Sequence, residues 1–227
     1  IDELAHAHFG TRYDEGLDYF FAGGGAYSQP RATLALSPAS RVTVAELDPL
    51  VTRTAAESLF VDHAGMRVVH EDARLVLARE TGPFDLVVGD VFHDVAIPPH
   101  LVTRELALLV RSKLAPGGLY AMNVVDAFPD PRLIKALVKT LGTVFEHVDV
   151  WMEGMPEASR VTYVLTASNA GRLPEMVRAR WGFERSWLRV TEQLMETGTD
   201  PARIPVLTDD YAPVERLIAR LLVGPDG

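Results

Sequence analysis

The sequence contains no cysteine. That excludes disulfides, thiolate-ligated metals and cysteine nucleophiles, and it fits a reducing, cytoplasmic setting. Long apolar runs are missing too: none approaches the ~20 residues a membrane-spanning helix needs, and no signal-peptide pattern stands at the start. The chain opens on Ile1 rather than Met, so a further N-terminal region, membrane-associated or not, is an open expectation. There is no basic cluster. The 22 Lys and Arg are scattered among 31 Asp and Glu, for a net charge of −9, whereas a nucleic-acid binder presents a basic face to neutralise phosphates. A cationic small molecule is the easier partner for such a chain. The histidines are dispersed and H-E-x-x-H is absent, so no metal is expected; G-x-G-x-x-G, the dinucleotide signature, is absent as well.

What is present is an ordinary globular composition, 48% hydrophobic and 23% charged over 227 residues, long enough to build a core without staples. Short apolar runs alternate with helical-period segments, the pattern of βαβ units and a parallel sheet. Strands are predicted at Leu17–Ala22, Arg41–Glu46, Met66–His70, Phe84–Gly89 and Leu119–Val125. Helices are predicted at Gln29–Leu36, Pro49–Phe60, Ala73–Arg79, His100–Leu114 and Pro131–Leu141, with Pro116, Gly117 and Gly118 stopping the fourth. Phe145–Met152 and Arg160–Ser168 then read as an antiparallel hairpin. The expectation is one α/β domain with a Rossmann-like, class I methyltransferase fold: a mostly parallel seven-stranded sheet with an antiparallel C-terminal hairpin. Residues 1–16 form a short N-terminal segment, 17–168 the core sheet, and 169–227 a helical extension. That extension holds a helix around Leu173–Trp181 and a closing helix Val214–Leu222.

In an open parallel sheet, ligands bind beyond the carboxyl ends of the strands, where the strand order reverses. Here those ends carry Gly23, Gly24 and Gly25, then Glu46, Asp72, Asp90, and Asn123 with Asp126. Glycines let backbone approach a ligand without a Cβ in the way. An acid after the second strand is placed to accept two ribose hydroxyls, and Asp72 stands where an adenine amino group needs an acceptor. In this order and spacing they favour an adenosine-type ligand.

Several stretches resemble the bacterial spermidine synthase-like family, in the branch often fused to membrane segments: GGGAYSQPR, VAELDP, HEDAR, FDLVVGDVFHD, IPPHLVTRELALLVRSKLAPGGLYAMNVVD and LTDDYAPVE. The match runs from about Leu17 to Glu215. It implies an aminopropyltransferase that moves the aminopropyl group of decarboxylated S-adenosylmethionine to a polyamine or related amine. Gly23, Gly24, Gly25, Glu46, Asp72, Ala73 and Asp90 would hold the nucleoside co-substrate. Asp90 and Asp94 would be catalytic, since an attacking amine must be held and deprotonated, and Asp94, Asp209, Asp210 and Tyr211 would meet the amine. A homodimer and a membrane tether outside this chain are further implications.

Two departures matter. Ala26 stands where the family usually has an aspartate directly after the glycines, and only about sixteen residues precede the first strand, too few for the family's N-terminal cover of the amine site. An S-adenosylmethionine-dependent methyltransferase and a non-catalytic nucleoside-binding domain therefore remain alternatives. His93 and His100 flank the acidic loop as alternative bases, His100 otherwise opening the next helix. Tyr27 is read as a cofactor or core aromatic, and Trp151, Trp181 and Trp187 as packing residues.

Overall fold

The computed structural model describes residues 1–91, 97–154 and 158–222. Five parallel strands form one half of the sheet: β1 (Asp18–Ala22), β2 (Arg41–Ala45), β3 (Met66–Val69), β4 (Phe84–Gly89) and β5 (Leu114–Ala127). Their order is β3-β2-β1-β4-β5. The chain thus steps outward from β1 to β3 and then returns to place β4 on the other side of β1, which is where a crevice opens. The antiparallel strands β6 (His147–Glu153) and β7 (Arg160–Ser168) continue the sheet, β7 lying against β5.

Helices cover both faces. Beneath one lie α1 (Asp2–Phe9), α2 (Thr11–Glu15), α3 (Ser28–Leu36) and α4 (Pro49–Leu59), around a core that includes Tyr13, Tyr19, Phe21, Val44 and Leu86. Over the other lie α5 (Ala73–Arg79), α6 (Arg104–Lys113) and α7 (Arg132–Gly142), with Phe20, Leu77, Val110, Leu137 and Tyr163 in the larger core. The N-terminal segment is part of the fold: buried Asp2 accepts hydrogen bonds from Tyr13, Gln29 and Thr33, and Glu3 accepts from the backbone of Arg180 and Trp181. Among the described residues no helix is long and apolar enough to cross a membrane.

The structure corrects the sequence reading in four places. Among the described residues the sheet has nine strands, two more than the seven expected. Met176–Arg178, expected within a helix, is a strand, β8, paired with β9 (Ser186–Arg189), and β9 extends the sheet beyond β6. Val177 and Leu173 pack there on Trp151 and Leu4, so tertiary burial overrides a weak helical pattern. The helix expected from His100 starts at Arg104. Pro99–Leu101 instead forms a single 3₁₀ turn, and the Thr103 hydroxyl caps the helix by accepting from Leu106 N–H at 3.2 Å. The fifth strand, expected from Leu119, already begins at Leu114, opposite Phe84, and passes an irregularity before Leu119 meets Leu86. The closing helix is broken at Ile218, a fully buried residue, into α9 (Val214–Leu217) and α10 (Ala219–Leu222). Between them and β9 lie α8 (Thr191–Glu196) and a segment pinned to α7, whose Lys135 and Lys139 donate to the carbonyls of Thr199 and Pro201 at 2.7 and 2.6 Å.

Candidate functional site

The carboxyl ends of β1, β2, β3 and β4 converge on a cavity of about 440 Å³, lined by Gly23, Gly25, Glu46, Asp72, Ala73 and Asp90 together with Leu47, Asp48, Val51, His100 and Leu101. A more open depression of about 570 Å³ lies at the opposite strand ends. Its charges are paired with one another, Arg41 with Asp18 and Arg67 with Glu80, so these offer no convergent unpaired charge, and the topological crevice is the better candidate.

The glycine turn follows from contact at the switch point. Gly23 has φ +93°, and a Cβ there would sit 2.2 Å from the carbonyl oxygen of Asp90. Only glycine lets β1 and β4 close side by side at their ends. At Gly24 a Cβ would lie 2.7 Å from the ring of Tyr27. That ring is wholly buried, with its hydroxyl 2.6 Å from Thr52 Oγ1; Tyr27 is therefore a core residue that backs the turn.

Glu46 is buried, and its carboxylate organises the turn. Oε2 accepts the N–H groups of Gly24 and Gly25 at 2.8 and 3.2 Å, and Oε1 accepts that of Asp48 at 3.0 Å. The turn's amides are thereby spent on a protein carboxylate and are not left as a nest for phosphate. Asp48 in turn caps α4, accepting from Leu50 N–H at 2.8 Å.

Asp72 caps α5. Its Oδ1 accepts from Arg74 and Leu75 N–H at 3.0 and 3.1 Å, while Oδ2 faces His100 Nε2 at 2.8 Å. Burial pushes this carboxyl up, but the His100 contact and the two N–H donations outweigh it and hold it below the usual carboxylate range. Ala73, as the first helical residue, has no intrahelical acceptor for its N–H. An acceptor and a donor thus stand side by side at this end of the cavity.

Asp90 ends β4 on the cavity wall. Burial raises its carboxyl above the usual range, opposed by a hydrogen bond from the Asn123 side chain. A carboxylate so poised is a better proton acceptor than a solvated one. Asp126, the acid at the end of β5, is fully buried and does not line the cavity: it accepts from Ala127 and Ile134 N–H at 2.7 and 3.0 Å beneath α7, and burial pushes it up to about 7.

Asp209 accepts a bidentate pair from Arg74 and a bond from Thr103, and the guanidinium holds its carboxyl down to about 2. Asp210 and Tyr211 are exposed on the same turn, the Tyr211 hydroxyl accepting from Arg216. Ala26 is exposed beside the glycine turn. Asp94 and His93 lie outside the described residues. Two features were not anticipated from sequence, the His100 contact on Asp72 and the Arg74–Asp209 pair; both join residues far apart in the chain, and no local pattern signals them. Trp151 is fully buried with its indole N–H on Thr166, and Trp181 packs on Tyr13.

No protein-family model matches the chain. Over 198 residues, 79% of its length, the chain is 27% identical to a probable polyamine aminopropyl transferase of Bifidobacterium longum, and the match spans 44% of that protein. The chain therefore covers less than half of that relative. A probable spermidine synthase from Corynebacterium glutamicum superposes with a TM-score of 0.72 at 22% identity, covering 94% of this chain and 82% of that one. The human methyltransferase-like protein 13, solved in complex with SAH, superposes at 0.62 with 23% identity, covering 79% of this chain and 82% of that one. At these identities the structural matches speak for the fold.

Proposed function

We propose that this chain, spermidine synthase-like in sequence and in fold, is an aminopropyltransferase that takes decarboxylated S-adenosylmethionine as donor and a polyamine or related amine as acceptor. One observation carries the reading. Four carboxylates, Glu46, Asp48, Asp72 and Asp90, surround one cavity, and no lysine or arginine stands among the described residues that line it. With the glycine-turn amides occupied by Glu46, the cavity suits a cationic nucleoside and disfavours a nucleotide.

In this reading Glu46 accepts the ribose hydroxyls, and Asp72 with the Ala73 N–H meets the adenine edge. Asp90 holds the incoming amine and accepts its proton as the nitrogen forms its bond to the carbon beside the sulfonium. The carbon–sulfur bond breaks with its electron pair going to sulfur, leaving methylthioadenosine. Its raised affinity for protons suits Asp90 to that role. Asp94, Asp210 and Tyr211 belong to the same proposal as amine-side residues, whereas Asp209, expected among them, is occupied by Arg74 and Thr103 and is not assigned to the amine. Calorimetric titration tests the nucleoside half: methylthioadenosine is expected to bind at least about tenfold more tightly than adenosine 5′-monophosphate. Equal or tighter binding of the phosphate would defeat the charge argument.

Ala26 favours a second reading, methyl transfer from intact S-adenosylmethionine. The residue is exposed and uncharged beside the cavity, so nothing at that position repels the carboxylate of an unmodified methionine tail. Ala26→Asp is expected to weaken the intact donor about tenfold relative to the decarboxylated one, the size of a single close charge contact. Parallel binding curves for the two donors check this, and no relative shift would remove Ala26 from the account of donor choice.

A further inference from the structure

The turn that carries Asp209 is fastened to the nucleobase end of the cavity. Arg74, two residues after Asp72, sends both guanidinium ends to Asp209 at 2.7 and 2.6 Å and donates to the His100 carbonyl at 3.1 Å. Asp209 also accepts from Thr103 Oγ1 at 2.7 Å and donates its N–H to Glu105 at 3.0 Å, while Arg104 N–H donates to the Leu207 carbonyl at 2.9 Å. The Arg74 side chain is 24% exposed, so most of it is packed in place.

Arginine is permanently charged and carries donors only. Released from Asp209, this guanidinium would sit within the same helical turn as Asp72, free to pair with that carboxylate or to offer donors to the base. Either event replaces an acceptor by a donor at the edge that reads the base. We infer that Asp209 is a specificity-determining residue for the nucleobase: by holding Arg74 away, it keeps Asp72 as the group that meets the base edge, and so selects a 6-amino purine over a 6-oxo purine. The inference rests on the nucleoside reading above. Asp209 acts here through Arg74 and is a positioning residue.

The test measures affinities for methylthioadenosine and for its 6-oxo counterpart, methylthioinosine. The proteins compared are the wild type, Asp209→Asn, Asp209→Glu, Arg74→Met and the double variant Asp209→Asn/Arg74→Met, with thermal melting as a check on folding. The wild type is expected to prefer the 6-amino nucleoside by at least about tenfold, since a site built around an acceptor rejects a ligand that lacks the donor. Asp209→Asn should lose about tenfold of that ratio. Asp209→Glu and Arg74→Met should keep it, and the double variant should regain it, because the stray cation is gone. A merely structural latch would weaken both nucleosides alike and would not be rescued by removing Arg74. An unchanged ratio in Asp209→Asn, a lost ratio in Asp209→Glu, or no rescue in the double variant overturns the inference while leaving the nucleoside reading intact. A wild type that binds neither nucleoside overturns both.

Discussion

Asp90→Asn is expected to lower kcat for aminopropyl transfer by about 100- to 10,000-fold, the range that a positioned general base contributes, while the affinity for methylthioadenosine stays within about twofold. The reasoning separates the two roles of the site. In the proposed reading the nucleoside is held by Glu46, Asp72 and the Ala73 backbone, and Asp90 faces the reacting end. Asparagine preserves the shape at the end of β4 and the contact of the residue-90 carbonyl against Gly23, but it cannot accept a proton. The same argument sets a pH dependence. Burial lifts the Asp90 carboxyl, so as pH falls through that raised value the group becomes protonated, loses its hold on the ammonium and can no longer take the proton. Wild-type turnover should therefore decline on acidification, and the asparagine variant should lack that limb. Steady-state kinetics across pH, with nucleoside titrations alongside, check both halves. A variant that retains most of its turnover would remove Asp90 from the chemistry.

Glu46→Gln is expected to have the second largest effect, a loss of about 100-fold in nucleoside affinity. A charged acceptor of two hydroxyls contributes about 1.5–3 kcal/mol per bond, and the loss compounds because the same carboxylate shapes the glycine turn. Its two oxygens already accept three backbone N–H groups, from Gly24, Gly25 and Asp48. A glutamine presents an oxygen to one side only, so either the turn or the ribose meets an N–H donor instead of an acceptor. Titration with methylthioadenosine checks the affinity, and a thermal melt separates ligand loss from a disordered turn. Unchanged affinity would mean that the ribose lies elsewhere.

Much of the architecture was legible because buried parallel strands end in residues with distinctive chemistry. β1, β2 and β4 close on Gly23, Glu46 and Asp90, and their boundaries agree with the sequence reading to within a residue. Alternation of strand and helix then implied the topology, and the topology brought the strand-end residues Gly23, Glu46, Asp72 and Asp90 onto one cavity. Short elements were harder. β8 has three residues and β9 four, too few for a period to emerge, and their pairing is decided by Val177 packing on Trp151 and Leu4. The start of α6 was misplaced because Leu101 fits the helical stripe, although Pro98 and Pro99 favour the 3₁₀ turn that precedes the Thr103 cap. Asp126 illustrates a different limit: it ends a strand as the site acids do, yet the entry of α7 takes both its oxygens. The contacts of His100 with Asp72 and of Arg74 with Asp209 span 28 and 135 positions, and a single sequence carries no sign of such distant pairs.

The most direct test of the central claim is a mass-spectrometric product assay, with decarboxylated and intact S-adenosylmethionine offered separately alongside a panel of polyamines. The account predicts methylthioadenosine together with an amine heavier by one aminopropyl group, formed from the decarboxylated donor and lost in Asp90→Asn. S-adenosylhomocysteine from the intact donor alone, or no product from either donor despite measurable nucleoside binding, would contradict it.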